Sequence, residues 1–276
     1  MDLIQVNQEE CIHCGLCATV CPLGVIAMDT QGPQAVKEIC IACGHCVAVC
    51  PREAIDHVKT PLAKQIPLER PVLDAGTANH FLRSRRSIRD YQQKPVPREK
   101  ILQLLDIARF APTAGNSQGV AYHIVDDPIT LRNITAASIA WMEEQIEKAV
   151  PGTPHLAEMV IVVDNFRKTG RSAVLWNAPC LIVAVTDRSF LAVGRDNSHF
   201  SLSYAELYAP SIGLSTCWAG VIEACCSSGC QPLLQLLNLP ENMCVTGALM
   251  VGYPQYTHKR LVDRNPLQVT WQSNAD

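Results

Sequence analysis

Apolar positions beyond about residue 75 recur with two different periods, and each period predicts a different element. In 97–110, Ile101, Leu104, Leu105 and Ala108 fall on one face of a helix, and Pro112 stops the pattern. Residues 130–150 are mostly helical in the same sense. Helices are also predicted over 198–212, closed by Gly213, and over 232–237. Short apolar runs at 119–125, 178–186 and 244–251 read as strands, the second buried on both faces. Met159–Asn165 opens with five consecutive apolar residues rich in Val and Ile, which favours a strand between helical neighbours. Helices outnumber strands and the strands lie far apart in sequence, which predicts an α+β domain with a central sheet.

The first fifty residues show neither period. They carry eight of the 14 cysteines, in a phrase written twice: CIHCGLCATVCP, from Cys11 to Pro22, and CIACGHCVAVCP, from Cys40 to Pro51. Each copy reads Cys-x2-Cys-x2-Cys-x3-Cys-Pro, the spacing that wraps thiolates around a cubane [4Fe–4S] cluster, with the fourth cysteine of each run serving the other cluster. The expected ligand sets are therefore Cys11, Cys14, Cys17 and Cys50 for one cluster, and Cys40, Cys43, Cys46 and Cys21 for the other. Gly15 and Gly44 suit a loop whose backbone approaches sulfide closely. Disulfides and zinc are the rival uses of such thiols. Disulfides need an oxidising compartment, and the opening MDLIQVNQEE has neither the basic nor the apolar stretch of a secretory leader. Zinc sites usually draw on two separated Cys-x2-Cys knuckles rather than one dense run. His13 and His45, inside the loops, read as hydrogen-bonding loop residues rather than ligands. This segment resembles the bacterial two-cluster ferredoxins over residues 1–58.

Composition changes the picture little. With 48% apolar and 18% charged residues the chain can build an ordinary globular core. A net charge of −3 with no Lys/Arg run argues against a nucleic-acid partner. The apolar run CLIVAV, 180–185, is too short to span a bilayer, so a cytoplasmic location without membrane partners is expected. Pro61, Pro67 and Pro71 with scattered charges mark a linker. The expected organisation is a two-cluster ferredoxin domain over 1–58, a linker over 59–78 and a second domain over 79–276.

Three stretches of the second domain carry candidate chemistry. RRSIRDY, from Arg85 to Tyr91, packs three arginines and a serine into five residues, a dense donor set for an oxyanion. Its plain alternative is a basic surface turn. APTAGNSQ, from Ala111 to Gln118, offers small and amide residues to a planar ligand, or is simply a helix end with Gly115 or Asn116 in left-handed geometry. GLSTCWAG, from Gly213 to Gly220, sets glycines around Trp218, and VGYPQYTHKR follows, from Val251 to Arg260. Each alone could be a turn and a solvated basic tail.

In this order the three stretches resemble the flavin-dependent nitroreductase family, from about Asn79 to the C-terminus. The resemblance implies a mixed sheet wrapped by helices, with FMN at a homodimer interface. It implies that Arg85, Arg86, Ser87 and Arg89 hold the FMN phosphate and the pyrimidine edge of the ring. Pro112, Thr113, Asn116 and Gln118 would come from the partner subunit. Trp218, Ala219 and Gly220 would lie at the flavin, with the backbone N–H groups near Ala219 and Gly220 facing its N5 and O4. Lys259 and Arg260 would close over the phosphate, although here they are adjacent where the family commonly has Lys-x-Arg. The family also usually has a helix where Met159–Val163 reads as a strand.

The expected function is an iron–sulfur flavoprotein oxidoreductase, an FMN-dependent nitroreductase-like enzyme. It would pass electrons from two [4Fe–4S] clusters to FMN and on to an organic acceptor of the nitro, quinone or enone class. The expected donor is a low-potential ferredoxin-like protein or reductase, or NAD(P)H. The alternatives are an electron carrier or redox sensor without turnover, and a reductive dehalogenase-like flavoenzyme. No protein nucleophile or general base is expected, because the isoalloxazine makes the bonds. Cys180, Cys225, Cys226, Cys230 and Cys244 read as free thiols in or near the core, and Cys217 as a thiol close to the flavin. Trp141 and Tyr204 read as core residues, with a substrate pocket as the alternative.

Overall fold

The computed structural model describes residues 3–69 and 73–272. Residues 70–72 of the expected linker, and the ends 1–2 and 273–276, lie outside the described residues. By contacts the chain divides into two units, Met1–Val72 with Thr113–Gln118, and Leu73–Pro112 with Gly119–Asp276.

In the first unit the repeated phrase becomes a repeated backbone. Strand β1 (Ile4–Val6), helix α1 (Leu16–Thr19), strands β2 (Ile26–Asp29) and β3 (Gly32–Ala35), helix α2 (His45–Ala48) and strand β4 (Ile55–His57) follow in order. β1 pairs antiparallel with β4, and β2 with β3. Gly15 and Gly44 precede α1 and α2 with the same backbone angles, φ 74° and ψ 0°. His13 (φ 54°) and Ala42 (φ 52°) match two positions earlier in the phrase, and Gly24 (φ 57°) and Glu53 (φ 51°) match beyond it. The core is small: Ile4, Cys17, Ile26 and Ile55 form its centre. A unit of this size buries too little apolar surface to be robust without further cross-links.

The second unit is a helix-covered sheet. Its elements are α3 (Ala75–Ser84), α4 (Arg98–Ala108), β5 (Ala121–Val125), α5 (Pro128–Glu147), α6 (Leu156–Thr169), β6 (Cys180–Asp187), α7 (Leu191–Tyr208), β7 (Ser215–Trp218), α8 (Gly220–Ser227), α9 (Gln231–Leu237) and β8 (Met243–Gly252). The strand order is β5-β6-β8-β7, and these ladders are antiparallel. A parallel bridge between Ser87 and Thr216 makes the sheet mixed at its β7 edge. Alternation along β6 sorts the core: Leu181, Val183 and Val185 join residues of α5, α8 and α9 on one face. Cys180, Ile182 and Ala184 join α4 and α7 on the other. Both faces of β6 are covered, which is why its sequence reads as an unbroken apolar run. Asp127 caps α5 by accepting the Thr130 N–H at 2.7 Å, with Pro128 at the first helical position.

The strand expected at Met159–Asn165 is a helix. That run lies inside α6, where Val163 is buried while Val160 and Ile161 face solvent. Left-handed Gly170 ends the helix, and Arg167 grips Glu143 of α5 through two nitrogens at 2.8 and 2.7 Å. Packing along α5 outweighs the strand preference of the β-branched residues. α3, capped by Asp74 through the Thr77 N–H at 3.0 Å, begins inside the stretch expected as linker.

Candidate functional site

The eight N-terminal thiols line two separate cavities. Cys11, Cys14, Cys17 and Cys50 border one, with Gly15, Ile55 and Pro33 among its walls. Cys21, Cys40, Cys43 and Cys46 border the other, with Gly44, Val25 and Ile26. Backbone N–H groups point at the sulfurs: Val25 donates to Cys21 Sγ and Ala54 to Cys50 Sγ, both at 3.2 Å, and Ala42 to Cys40 Sγ at 3.3 Å. Burial pushes the Cys17 and Cys46 thiols up. Burial also acts upward on Cys21, but the N–H groups of Val25, Leu23, Ile26 and Gly24 outweigh it and its pKa is lowered. Among the described residues no three His, Cys, Asp or Glu side chains converge as a single metal ion requires. Four thiols around a cavity, with N–H groups turned to sulfur, fit a cluster of several atoms better than one ion.

No periodicity or spacing marks His57, which lies beside the second cavity. It is almost fully buried, and its Nε2 lies 3.4 Å from Cys40 Sγ. The Lys59 N–H donates to Nδ1 at 3.1 Å, so Nε2 carries the proton and donates to the sulfur. Burial, then the Lys59 charge, lowers the His57 pKa and favours the neutral ring. Asp56 fixes the turn by accepting N–H groups from His57 (2.7 Å) and Leu62 (2.8 Å).

The Ala111–Gln118 stretch is a loop after α4 rather than its cap, with Gly115, Asn116 and Gln118 all left-handed. Thr113 Oγ1 accepts the Gln118 N–H at 3.1 Å. Asn116 Nδ2 donates to the carbonyls of Ile41 (2.8 Å) and Ala42 (3.0 Å), inside the second cysteine phrase. Thr113, Asn116 and Gln118 thus belong to the first unit, and Pro112 to the second.

In the second unit the other two stretches and the tail converge. Ile88 N–H donates to Thr216 O at 2.9 Å beside the Ser87–Thr216 bridge, and Tyr91 bridges Pro254. Arg86 Nη2 donates to Arg260 O at 2.9 Å. Between them lies a cleft of about 180 Å³ lined by Arg85, Arg86, Glu206, Ser215, Thr216 and His258, among others. Arg85 Nη1 stands 3.7 Å from Glu206 Oε1, to which Thr216 Oγ1 donates at 3.3 Å. Arg89 and Lys259 are exposed. Gly252 is required where it stands: a Cβ there would lie 2.7 Å from the Tyr91 ring and 2.8 Å from Pro179.

The third stretch forms β7 and the start of α8. The Ala219 N–H is taken by Ala248 O at 2.9 Å, whereas Gly220 opens α8, where the first N–H groups have no acceptor within the helix itself. Half-buried Trp218 meets His199 edge-on, with ring centroids 4.5 Å apart. His199 Nε2 is 3.1 Å from Glu223 Oε2, and Glu223 Oε1 accepts the Ala248 N–H at 3.2 Å. His199, Glu206 and Glu223 join the site through tertiary packing alone. Burial raises the Cys217 thiol, opposed by Arg89 and a hydrogen bond shared with Ser87, so it is a protonated neighbour of the cleft. Burial holds Cys225 and Cys226 up at about 12, as inert core thiols.

Folds and sites define two joined modules: a small unit built on eight thiols, and a sheet wrapped by helices with an arginine-lined cleft. The chain belongs to the nitroreductase family, whose model matches residues 82–253, and the model of a 4Fe-4S dicluster domain matches residues 3–51. An NADH dehydrogenase of Thermus thermophilus is 26% identical over 200 residues, covering 67% of this chain and 88% of that protein. A nitroreductase of Desulfitobacterium hafniense solved with bound FMN superposes with a TM-score of 0.56 at 18% identity, covering 72% of this chain and all of that one. A nitroreductase of Bacteroides fragilis, also with bound FMN, gives 0.52 at 19%, covering 70% and 98%. No helix among the described residues is long and apolar enough to cross a membrane.

Proposed function

We propose that the protein is an iron–sulfur flavoprotein oxidoreductase that joins the one-electron chemistry of two [4Fe–4S] clusters to the two-electron chemistry of FMN and reduces a small organic acceptor. The observation that carries this reading is the division of the eight cysteines. The two cavities take them as Cys11, Cys14, Cys17 with Cys50, and Cys40, Cys43, Cys46 with Cys21, the crossed arrangement that two cubanes require.

The arginine cleft suits FMN by the chemistry of its donors. Arg85 and Arg86 bring guanidinium charge to a phosphate, and Ser215 and Thr257 offer hydroxyls. Arg89, Lys259 and Arg260 add positive charge, and Ser87 holds the backbone of the cleft against β7. Trp218 and the Gly220 N–H stand at the head of α8, where a flat ring and its polar edge find a wall and a donor. When bound, FMN supplies hydride and single-electron transfer, while the chain binds it, orients it and sets its electrostatics.

The family's partner-subunit residues correspond to Pro112, Thr113, Asn116 and Gln118, so the reading includes a homodimer. Phe200 and Tyr204, one turn apart on α7, are exposed as such a contact would require. The Thermus relative's name points to NADH as one donor, and the cluster unit to a low-potential protein donor as the other. Nitro compounds, quinones and enones are the acceptors to screen.

Iron, sulfide and flavin content after anaerobic purification tests the reading. About eight irons, as many sulfides and one FMN per chain are expected. Zinc in the thiol cavities, or a chain that takes up no flavin, overturns it. Anaerobic reduction by a low-potential donor then separates an enzyme from a carrier: clusters that bleach while FMN stays oxidised would break the proposed link.

A further inference from the structure

Glu206 is a carboxylate that the reading above leaves without a task. It lies near the end of α7, 9% exposed, in the wall of the arginine cleft. Among the described residues two groups face this buried charge: the Thr216 hydroxyl at 3.3 Å, and the Arg85 guanidinium at 3.7 Å, too far for a direct hydrogen bond. Burial raises its pKa, with Arg85 and then Thr216 pulling the other way. The other titratable groups around it are Tyr91 and Cys217, both in electrostatic reach and both held protonated, and Arg89 beyond them. Arg86 and His258 line the same cleft. The Tyr91 hydroxyl is buried without a partner and adds no charge.

Arg85 is the guanidinium paired with Glu206, whereas Arg86 in the same cleft is turned to the backbone carbonyls of Arg83, Arg85 and Arg260. An oxyanion that takes up Arg85 places a second negative charge near Glu206 and draws on the one guanidinium that offsets the first. The lower-energy outcome is a neutral carboxyl group.

We propose that Glu206 is a proton-linked positioning residue for Arg85: an oxyanion binds Arg85 together with a proton on Glu206. In the proposed function that oxyanion is the FMN phosphate, so the ligand's identity rests on that reading. The linkage does not, because inorganic phosphate makes the same demand. Linkage is reciprocal, so oxyanion affinity falls as pH rises through the Glu206 titration, by roughly five- to 150-fold in all.

The test is calorimetric titration of the flavin-stripped full chain with FMN and, separately, with inorganic phosphate, from pH 5 to 8.5. Each titration is run in two buffers of different ionisation enthalpy, which counts the protons taken up. The phosphate monoester of FMN titrates near pH 6 and inorganic phosphate somewhat higher, both inside the range scanned, so the quantity read is the difference between wild type and variants. Glu206→Gln is expected to bind more tightly than wild type at high pH and to lose the Glu206 share of proton uptake. Glu206→Asp is expected to keep that uptake.

If Glu206→Gln shows the wild-type pH slope and proton count, the inference is overturned while FMN binding stands. If phosphate binds with the Glu206-dependent slope but FMN does not bind, the inference stands and the flavin reading fails. If wild type binds neither, both fail.

Discussion

The Nε2–H of His57 points at the sulfur of Cys40 from 3.4 Å, whereas the matching position of the first half is Met28, whose thioether has no such donor. The two cavities are related by the repeated phrase, so this contact is where the pseudo-symmetry breaks. A donor on a cluster sulfur stabilises the more negative, reduced state. Replacing His57 by Phe is expected to lower the potential of the cluster held by Cys40, Cys43, Cys46 and Cys21. The loss of one such hydrogen bond is about 1 kcal/mol, or roughly 40 mV for one electron. Potentiometry followed by electron paramagnetic resonance should show one cluster displaced and the other in place. Equal shifts in both would remove His57 from this role.

Gly15 and Gly44 sit at the same φ of 74°, but their surroundings differ. A Cβ on Gly15 would meet only Met28 Cγ at 3.8 Å, whereas one on Gly44 would meet Gln65 Nε2 at 3.3 Å and Thr60 at 3.6 Å. Left-handed geometry costs an alanine about 1–2 kcal/mol at either site. Gly44→Ala is expected to lose that and a little more, because Gln65 is tied to the Thr60 carbonyl at 3.0 Å. Anaerobic thermal unfolding of the two variants checks the order.

What could be read from the sequence followed from whether the controlling interaction was local. The cysteine phrase was legible because ligand spacing is a property of one loop, and the repeat of the phrase became a repeat of dihedral angles at Gly15/Gly44 and His13/Ala42. Strands β5, β6 and β8 and helices α4, α5, α7 and α9 of the second unit followed from periodicity, whereas β7, α3 and α8 did not. Met159–Asn165 did not, because its β-branched run is decided by packing along α5 rather than by its own preference. His57, Glu206, His199 and Glu223 carry no local signal: what marks them is burial against Cys40, Arg85, Trp218 and Ala248. Asn116 stood out in its stretch as an amide offered to a ligand, yet its bonds to Ile41 and Ala42 depend on a segment more than 70 residues away.

Gly252 ends β8 where Tyr91 and Pro179 close on it. Gly252→Ala forces the Tyr91 ring to move, and with it the backbone that leads back to Ser87 and Arg85. Overpacking of this kind costs about 1–3 kcal/mol. The expected result is a lower unfolding temperature together with weaker FMN retention, read by flavin released on gel filtration. A stable variant with full flavin would show that the Arg85–Tyr91 backbone can shift without consequence.

Removing Arg85 tests the same cleft from the opposite sign of charge. Arg85→Met deletes a charged donor for the ligand, worth about 1.5–3 kcal/mol of binding, so FMN affinity should fall by roughly ten- to 150-fold. It also leaves Glu206 facing Thr216 alone. The double variant Arg85→Met/Glu206→Gln should therefore recover stability that the single variant lost, while FMN binding stays weak. Flavin fluorescence titration with thermal unfolding separates the two effects. Recovery of binding in the double variant would mean that Arg85 serves Glu206 and not the ligand.

Glu206 also makes stability depend on pH in a sense opposite to that of the capping and turn carboxylates Asp74, Asp127 and Asp187. Asp74, Asp127 and Asp187 have lowered pKa values from hydrogen bonds at their caps and turns, so the stability they contribute is lost as pH falls. The Glu206 pKa is raised by burial, so the folded state holds its proton more tightly than the unfolded chain does. Its contribution is complete below the ordinary carboxylate range and is lost as pH rises through the raised value. Glu206→Gln cannot lose that proton. The flavin-free variant should therefore match wild type in acid and become the more stable of the two as pH climbs above the usual glutamate range. Unfolding temperatures measured side by side from pH 4.5 to 8.5 decide it: a gap that widens with pH supports a strained buried carboxylate, and a gap that closes shows that Arg85 already stabilises its charge in full.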